Sequence, residues 1–127
     1  MRLSPLLLPV VLWMSEAIAD PPRLTKPAAT DEVMEKGRRV FVANCAPCHG
    51  DKGDGAGPVG VALNPRPRDF GKEAFKQGNS TEQIFKTISQ GVPGTMMVAW
   101  PQLSEADRWA AAHFVTTMLP KPKSEEL

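Results

Sequence analysis

Residues 45–49 read Cys-Ala-Pro-Cys-His, and this short stretch determines what the rest of the chain must do. Two thiols at this spacing can add to the two vinyl groups of a porphyrin, and the adjacent histidine can then reach the iron. A redox dithiol normally follows a strand of a βαβ unit, a zinc site needs about four ligands, and a disulfide leaves the histidine unexplained. Because the chain holds only two cysteines and two histidines, we predict that Cys45 and Cys48 hold one covalent haem c and that His49 binds its iron.

The N-terminus of the chain has the features of a secretory signal. Residues 1–19 combine a positive start at Arg2, a mostly apolar run and an Ala-Ile-Ala cleavage site. The apolar run is shorter than the roughly 20 residues that a membrane span needs. We therefore expect export to the periplasm and no membrane span in the mature chain, with an uncleaved N-terminal anchor as the alternative. Thioether attachment of haem outside the cytoplasm agrees with this interpretation.

The remaining chain is long enough for one small domain. A proline-rich lead-in (residues 20–29) precedes it and a charged tail (residues 121–127) follows it; both are expected to be mobile and without chemistry. The 15 basic and 14 acidic residues nearly cancel. A net charge of +1 predicts no nucleic-acid partner.

Apolar periodicity and capping residues predict an all-α domain. The three predicted helices cover residues 30–44, 80–90 and 104–119. Each begins at a hydroxyl residue, and the second also has the Ser80/Gln83 capping box and a stop at Gly91. Residues 50–69 are predicted to form a glycine- and proline-rich loop that passes close to a flat, bulky group. No segment alternates convincingly enough to predict a strand.

A second iron ligand must come from elsewhere in the chain, because an electron-transfer haem usually has two axial ligands. The candidates outside the signal are Met34, Met96, Met97, Met118 and His113. Methionines on helices more often belong to the core, and a mid-helix histidine is more often packed than ligating. Met96 and Met97 lie in a loop between two predicted helices, where a thioether can be aimed inward.

With these motifs, the chain resembles the class I (single-haem) cytochromes c of the small periplasmic bacterial type. The resemblance rests on residues 37–41, on Cys45 to Gly50, and on residues 91–100, which are similar to a GxPGTxMPAW ligand loop. It implies a cytochrome c domain over residues 30–120, with three to four helices and long loops around one haem. Aligned on that loop, Met97 takes the ligand position and Met96 the variable one, although Val98 replaces the usual proline.

Further site residues are implied by the same resemblance. A proline carbonyl, from Pro67 or Pro65, would accept the second N–H of the proximal His49. Arg66 and Arg68 would pair with a haem propionate, or else be solvated surface residues. Trp100 would line the pocket and reach a propionate through its indole N–H. In the family's packing, Gly37 and Phe41 would meet the last helix near Phe114.

These features favour a periplasmic electron carrier, not an enzyme, that cycles its iron between Fe(II) and Fe(III). The alternative is a cytochrome subunit bound tightly to a periplasmic oxidoreductase, and the third hypothesis is a ligand-binding or peroxidatic haem protein with an open iron. Donor and acceptor proteins would dock weakly at the haem edge, with salt-sensitive rates. The basic patch for this docking, or alternatively a set of dispersed solvated side chains, would consist of Lys52, Lys72, Lys76 and Lys86.

Overall fold

The computed structural model describes residues 25–73 and 75–121. Within them lie four α-helices, Asp31–Asn44 (α1), Ala46–His49 (α2), Thr81–Gln90 (α3) and Glu105–Thr116 (α4), and a 3-10 turn at Gly60–Ala62. This part of the chain contains no strand, so the all-α prediction is confirmed. The short α2 and the 3-10 turn were not predicted. The signal-like residues 1–19, residues 20–24 of the lead-in and residues 122–127 of the tail lie outside the described residues.

The predicted helix starts are confirmed by their capping bonds. Thr30 accepts the Val33 N–H through its hydroxyl at 3.2 Å, and Ser104 caps α4 in the same way. Ser80 and Gln83 form the complete capping box that begins α3. Gly91 ends α3 with φ of 72°, a left-handed conformation that favours glycine.

The last helix ends earlier than predicted, at Thr116 instead of residue 119. Two threonine hydroxyls donate to backbone carbonyls of this final turn: Thr116 to His113 at 2.5 Å and Thr117 to Phe114 at 2.6 Å. Such side-chain bonds compete with continuation of the helical ladder. These bonds, together with Pro120, which has no N–H to donate to the Thr116 carbonyl, end the helix at Thr116.

The crossing of α1 and α4 builds the centre of the molecule. A Cβ atom at Gly37 would overlap the carbonyl oxygen of Ala110 and lie 2.9 Å from the Cβ of Phe114. Only glycine allows this approach, which confirms the reason predicted for a glycine inside the helix. One turn later, Phe41 is completely buried, with its ring centroid 5.5 Å from that of Phe114.

The two faces of α3 have different partners. Ile84 and Ile88 are buried in the core cluster together with Val115 of α4. Phe85 lies on another face, where its ring stacks on Trp109 of α4 at 3.8 Å and 8°. Helix α3 is therefore fixed to α4 by the aromatic stack and presents its isoleucines to the interior.

The described end of the lead-in is anchored, contrary to the mobility expected of it. The carbonyl oxygen of Pro27 accepts a hydrogen bond from His113 Nε2 at 2.8 Å, across 86 residues of sequence. Lys26 pairs with Glu82 at the start of α3 at 2.7 Å. Since His113 is buried, its role is to fasten this segment to α4, in agreement with a packed histidine and not an iron ligand.

Over the described ranges, no helix combines the length and the apolar character that crossing a bilayer requires. The longest one, α1, has 14 residues.

Candidate haem site

The Cys-x-x-Cys-His segment forms a single helical turn at the end of α1. The Cys45 N–H still donates to Phe41 of α1 at 2.8 Å, and the His49 N–H donates to the Cys45 carbonyl at 2.9 Å. Residues three apart on a helix share a face, so Cys45 and Cys48 both line one cavity together with His49. Gly50 then turns the chain away with φ of 81°.

The two thiols are free and do not form a disulfide. Burial, and to a smaller extent the charge of Cys48, raises the pKa of Cys45 to about 12. At neutral pH the Cys45 thiol is thus protonated, unlike the reactive thiolate of a redox dithiol. A protonated Cys45 thiol is poorly suited to dithiol exchange.

The His49 ring is held by an aromatic neighbour and by the glycine loop. Phe70 packs against it with ring centroids 4.6 Å apart. The Phe70 N–H donates to the Gly53 carbonyl at 2.7 Å, and a Cβ at Gly53 would come within 2.6 Å of the Phe70 ring. The glycine loop thus passes close to the ring of Phe70. Phe70 in turn holds the orientation of the His49 ring.

The expected proline carbonyl does not bond to His49 in this structure. The Nδ1 atom of His49 is buried and has no hydrogen-bond partner, although both Pro65 and Pro67 line the cavity. Burial lowers the pKa of His49, and it is the backbone of Arg68, not of a proline, that raises it by a smaller amount. A lowered pKa favours the neutral imidazole, the form that binds a metal ion.

Another wall of the cavity is formed by the loop of residues 91–100, which is folded on itself. The Val92 N–H donates to the Met97 carbonyl at 2.9 Å, and the Met97 N–H donates to the Thr95 hydroxyl at 3.1 Å. The Trp100 N–H fastens the end of the loop to Ile88 of α3 at 3.0 Å. Both methionines line the cavity, but Met97 packs against the core cluster whereas Met96 is 62% exposed.

The cavity between these walls has a volume of about 320 Å³, within the roughly 300–1,000 Å³ typical of small-molecule and cofactor sites. Trp100 lines it, as predicted. Helices α1, α3 and α4 also contribute apolar side chains to its walls, namely Phe41, Ile84, Ile88 and Val115. An imidazole, a thioether and two thiols around an apolar cavity form a donor set that fits a haem c.

The charged side chains that line the cavity all come from one stretch of the chain, residues 66–76; they are Arg66, Arg68, Glu73 and Lys76. Arg68 pairs with Glu73 at 3.3 Å. Of the four lysines considered for a basic patch, only Lys76 lines the cavity; Lys72 is exposed and pairs with Asp69 at 3.7 Å. Lys52 and Lys86 do not line the cavity either.

Several residues that line the cavity were not predicted from the sequence. Phe70, the partner of His49, carried only a weak signal as the single aromatic residue at the end of the loop. Ile84 and Ile88 of α3 also line the cavity, whereas Phe85 on the same helix does not. Nothing in the sequence pointed to Glu73, because its ion pair with Arg68 depends on how the chain between the two residues folds.

Comparison with known proteins gives a consistent assignment. The family described as cytochrome c oxidase, cbb3-type, subunit III matches residues 32–115. The cbb3-type cytochrome c oxidase subunit CcoP of Azospirillum brasilense is 29% identical over 92 residues, which are 72% of this chain and 30% of that protein. The subunit FixP of Bradyrhizobium diazoefficiens is 38% identical over 65 residues, which are 51% of this chain and 20% of that protein.

A solved structure extends the likeness to the fold. A chain of the Kuenenia stuttgartiensis reducing HAO-like protein complex superposes with a TM-score of 0.63 and 31% identity, over 72% of this chain and 48% of that one. The predicted cytochrome c fold is thereby confirmed. The chain spans less than a third of the curated relatives above and about half of the solved one.

Proposed function

The chain belongs to the family of cytochrome c oxidase, cbb3-type, subunit III, and from this premise we propose that it acts as a periplasmic one-electron carrier. Membership makes it a c-type cytochrome with covalent haem c, the cofactor predicted from the sequence. When bound, the haem supplies an iron that changes between Fe(II) and Fe(III). The carrier role, the periplasmic location and the roles of the individual site residues are parts of the proposal.

The observation that supports this function best is that two candidate iron ligands from distant parts of the chain, His49 and Met97, line the same cavity. His49 lies on the wall formed by α2, and Met97 lies on the wall formed by the loop of residues 91–100. With both side chains bound to the iron, no coordination position remains for a substrate. Such a site suits electron transfer and disfavours the ligand-binding or peroxidatic alternative.

The remaining residues of the site orient the cofactor and exclude water. Cys45 and Cys48 would hold the haem by thioether bonds, and Phe70 packs against the His49 ring. Phe41, Ile84 and Ile88 would supply apolar surface to the haem, since they line the cavity. A dry, preorganised environment of this kind leaves little to rearrange when the iron gains or loses an electron.

Among the charged residues that line the cavity, Arg66 and Lys76 are the side chains best suited to hold the two haem propionates. Both line the cavity, and neither takes part in an ion pair among the described residues. Arg68, which the sequence offered beside Arg66 as a propionate partner, forms an ion pair with Glu73. We therefore propose that Arg68, through its ion pair with Glu73, holds this part of the loop in place. Trp100 is a further candidate donor to a propionate.

A second candidate function follows from the relatives, which are subunits of an oxidase. This chain would then be the cytochrome module of a tight complex, and the residues 1–19 would direct or anchor it at the membrane. The alternative is testable without knowing the complex in advance. A carrier is purified alone as a monomer, whereas a subunit is recovered with a large partner from its native membrane or periplasmic fraction.

Carbon monoxide provides the test of the electron-transfer assignment. The purified, reduced holoprotein is mixed with carbon monoxide at neutral pH, and its absorption spectrum is followed. We expect no fast spectral change, because Met97 competes for the iron. Rapid and complete formation of a carbonyl complex would contradict the closed site and would favour the ligand-binding function.

A further inference from the structure

The loop of residues 91–100 begins with a tight turn that brings Thr95 back beside Val92. The Thr95 N–H donates to the Val92 carbonyl at 3.3 Å. Pro93 and Gly94 lie between them, and Gly94 has a φ of 75°. A proline followed by a glycine with positive φ is the preferred pair at the centre of a type II turn. The local sequence therefore determines where the backbone of Thr95 lies relative to Val92.

The Thr95 hydroxyl closes a ring of hydrogen bonds between Val92 and Met97. It donates its single proton to the Val92 carbonyl at 2.8 Å and accepts the Met97 N–H at 3.1 Å. On the other side of the ring, the Val92 N–H donates to the Met97 carbonyl at 2.9 Å. Both backbone polar groups of Met97 are thus bonded within the loop, and one of the two bonds depends on a side chain.

This ring belongs to the part of the loop that lines the haem cavity. Val92, Thr95 and Met97 all line the cavity, and Thr95 is half-buried there. Met97 is followed by Val98, so no proline ring restricts the backbone after it. The hydrogen bonds of the ring therefore restrain Met97 at a position where the sequence has no proline to do so.

We propose that Thr95 is a positioning residue that controls how readily Met97 leaves the haem iron. This inference rests on the proposed function, in which Met97 is the second axial ligand, and it names what regulates access to that site. A thioether carries no charge to hold it at the iron, so its binding depends on how firmly the surrounding chain positions it. Withdrawal of Met97 together with its loop requires the bond to the Thr95 hydroxyl to break.

The test measures how fast imidazole replaces Met97 in the ferric holoprotein. At saturating imidazole the observed rate reaches a limit, which is the rate at which Met97 leaves the iron. Stopped-flow absorbance follows it as the loss of the weak far-red band of methionine–iron ligation. Thr95→Val removes the hydroxyl and keeps the shape of the side chain. We expect it to raise the limiting rate at least about tenfold, the usual effect of removing a group that positions a metal ligand.

Thr87→Val is the matched control. Thr87 also lines the cavity, but its hydroxyl lies 2.9 Å from Gln77 Oε1 and 3.1 Å from the Gln83 carbonyl, outside the methionine loop. Its limiting rate should therefore stay close to that of the wild type. Thr95→Ser restores the hydroxyl and should restore the wild-type rate. Equal limiting rates in Thr95→Val and Thr87→Val, or a rate in Thr95→Ser as high as in Thr95→Val, would overturn the role of Thr95.

The same spectra separate a failure of this inference from a failure of the proposed function. A wild-type ferric protein without the far-red band would contradict both, because Met97 would not be bound. A wild type with the band, and a limiting rate that Thr95→Val leaves unchanged, would overturn the role of Thr95 alone. If Thr95→Val yields no holoprotein, Thr95→Ala removes the same hydroxyl with a smaller side chain. It should raise the limiting rate in the same way, and a wild-type rate in Thr95→Ala would likewise overturn the inference.

Discussion

At the scale of single residues, the site depends on which of two adjacent methionines points into the cavity. A thioether can bind iron only if its sulfur is shielded from water and held in place. Met97 packs against the core cluster and its backbone is bonded twice within the loop. Met96, with 62% of its surface exposed, lies where a partner or the solvent can contact it.

Replacement of Met97 by alanine should therefore remove the weak far-red absorption band of ferric methionine–iron ligation and raise the affinity of the reduced protein for carbon monoxide. Met96→Ala is the matched control in the neighbouring position, and it should keep the band. Absorption spectra of the two ferric variants check this directly. Loss of the band in Met96→Ala alone would assign the ligand to Met96.

The residues near His49 show why a sequence defines ligands better than their hydrogen-bond partners. Cys45, Cys48 and His49 are identified by their spacing within five residues. The partner of Nδ1 depends on how residues 65–68 return to the histidine, which the loop between them decides. The structure brings the backbone of Arg68 near the ring and leaves Nδ1 without a proline partner, an outcome that a shift of one peptide unit would reverse.

At the scale of helices, the crossing of α1 and α4 depends on one missing side chain. Gly37→Ala should improve the helical propensity of α1 by about 1 kcal/mol. However, the added methyl group would overlap the Ala110 carbonyl, and overpacking of this kind costs roughly 1–3 kcal/mol or more. We expect a net loss of stability in chemical denaturation of the holoprotein.

Arg39→Ala is the control for this substitution, because Arg39 is exposed on the same helix and its replacement brings no atom against α4. Its free energy of unfolding should stay close to that of the wild type. An unchanged or higher stability of Gly37→Ala would show that the two helices can move apart without cost.

The link between the lead-in and α4 gives a second prediction for the elements. His113→Leu removes the donor to the Pro27 carbonyl from a buried position. Loss of one partner of a buried hydrogen bond costs about 1–3 kcal/mol, and the unfolding midpoint should fall accordingly. Lys26→Ala, which removes an exposed ion pair of the same segment, should leave the midpoint nearly unchanged. Equal effects of the two substitutions would contradict the role given to His113.

At the scale of the whole molecule, the sequence predicts helices better than the connections between them. The caps at Thr30, Ser80 and Ser104 are local signals, and the structure confirms all three helix starts. The anchored lead-in depends on a contact between distant residues, His113 and Pro27, which no local pattern reveals.

The position of the cavity inside the core makes the fold dependent on its cofactor. The core residues Phe41, Ile84, Ile88 and Val115 all line the cavity, so without the haem they would enclose a large apolar void, and a domain of this size has little other core to compensate. A Cys45→Ala/Cys48→Ala double variant purified without haem should keep part of its far-ultraviolet helical signal but lose its near-ultraviolet signal and its cooperative unfolding. Circular dichroism of this variant beside the wild-type holoprotein measures both. A sharp, native-like unfolding transition in the haem-free chain would show instead that α1, α3 and α4 pack into a stable core on their own.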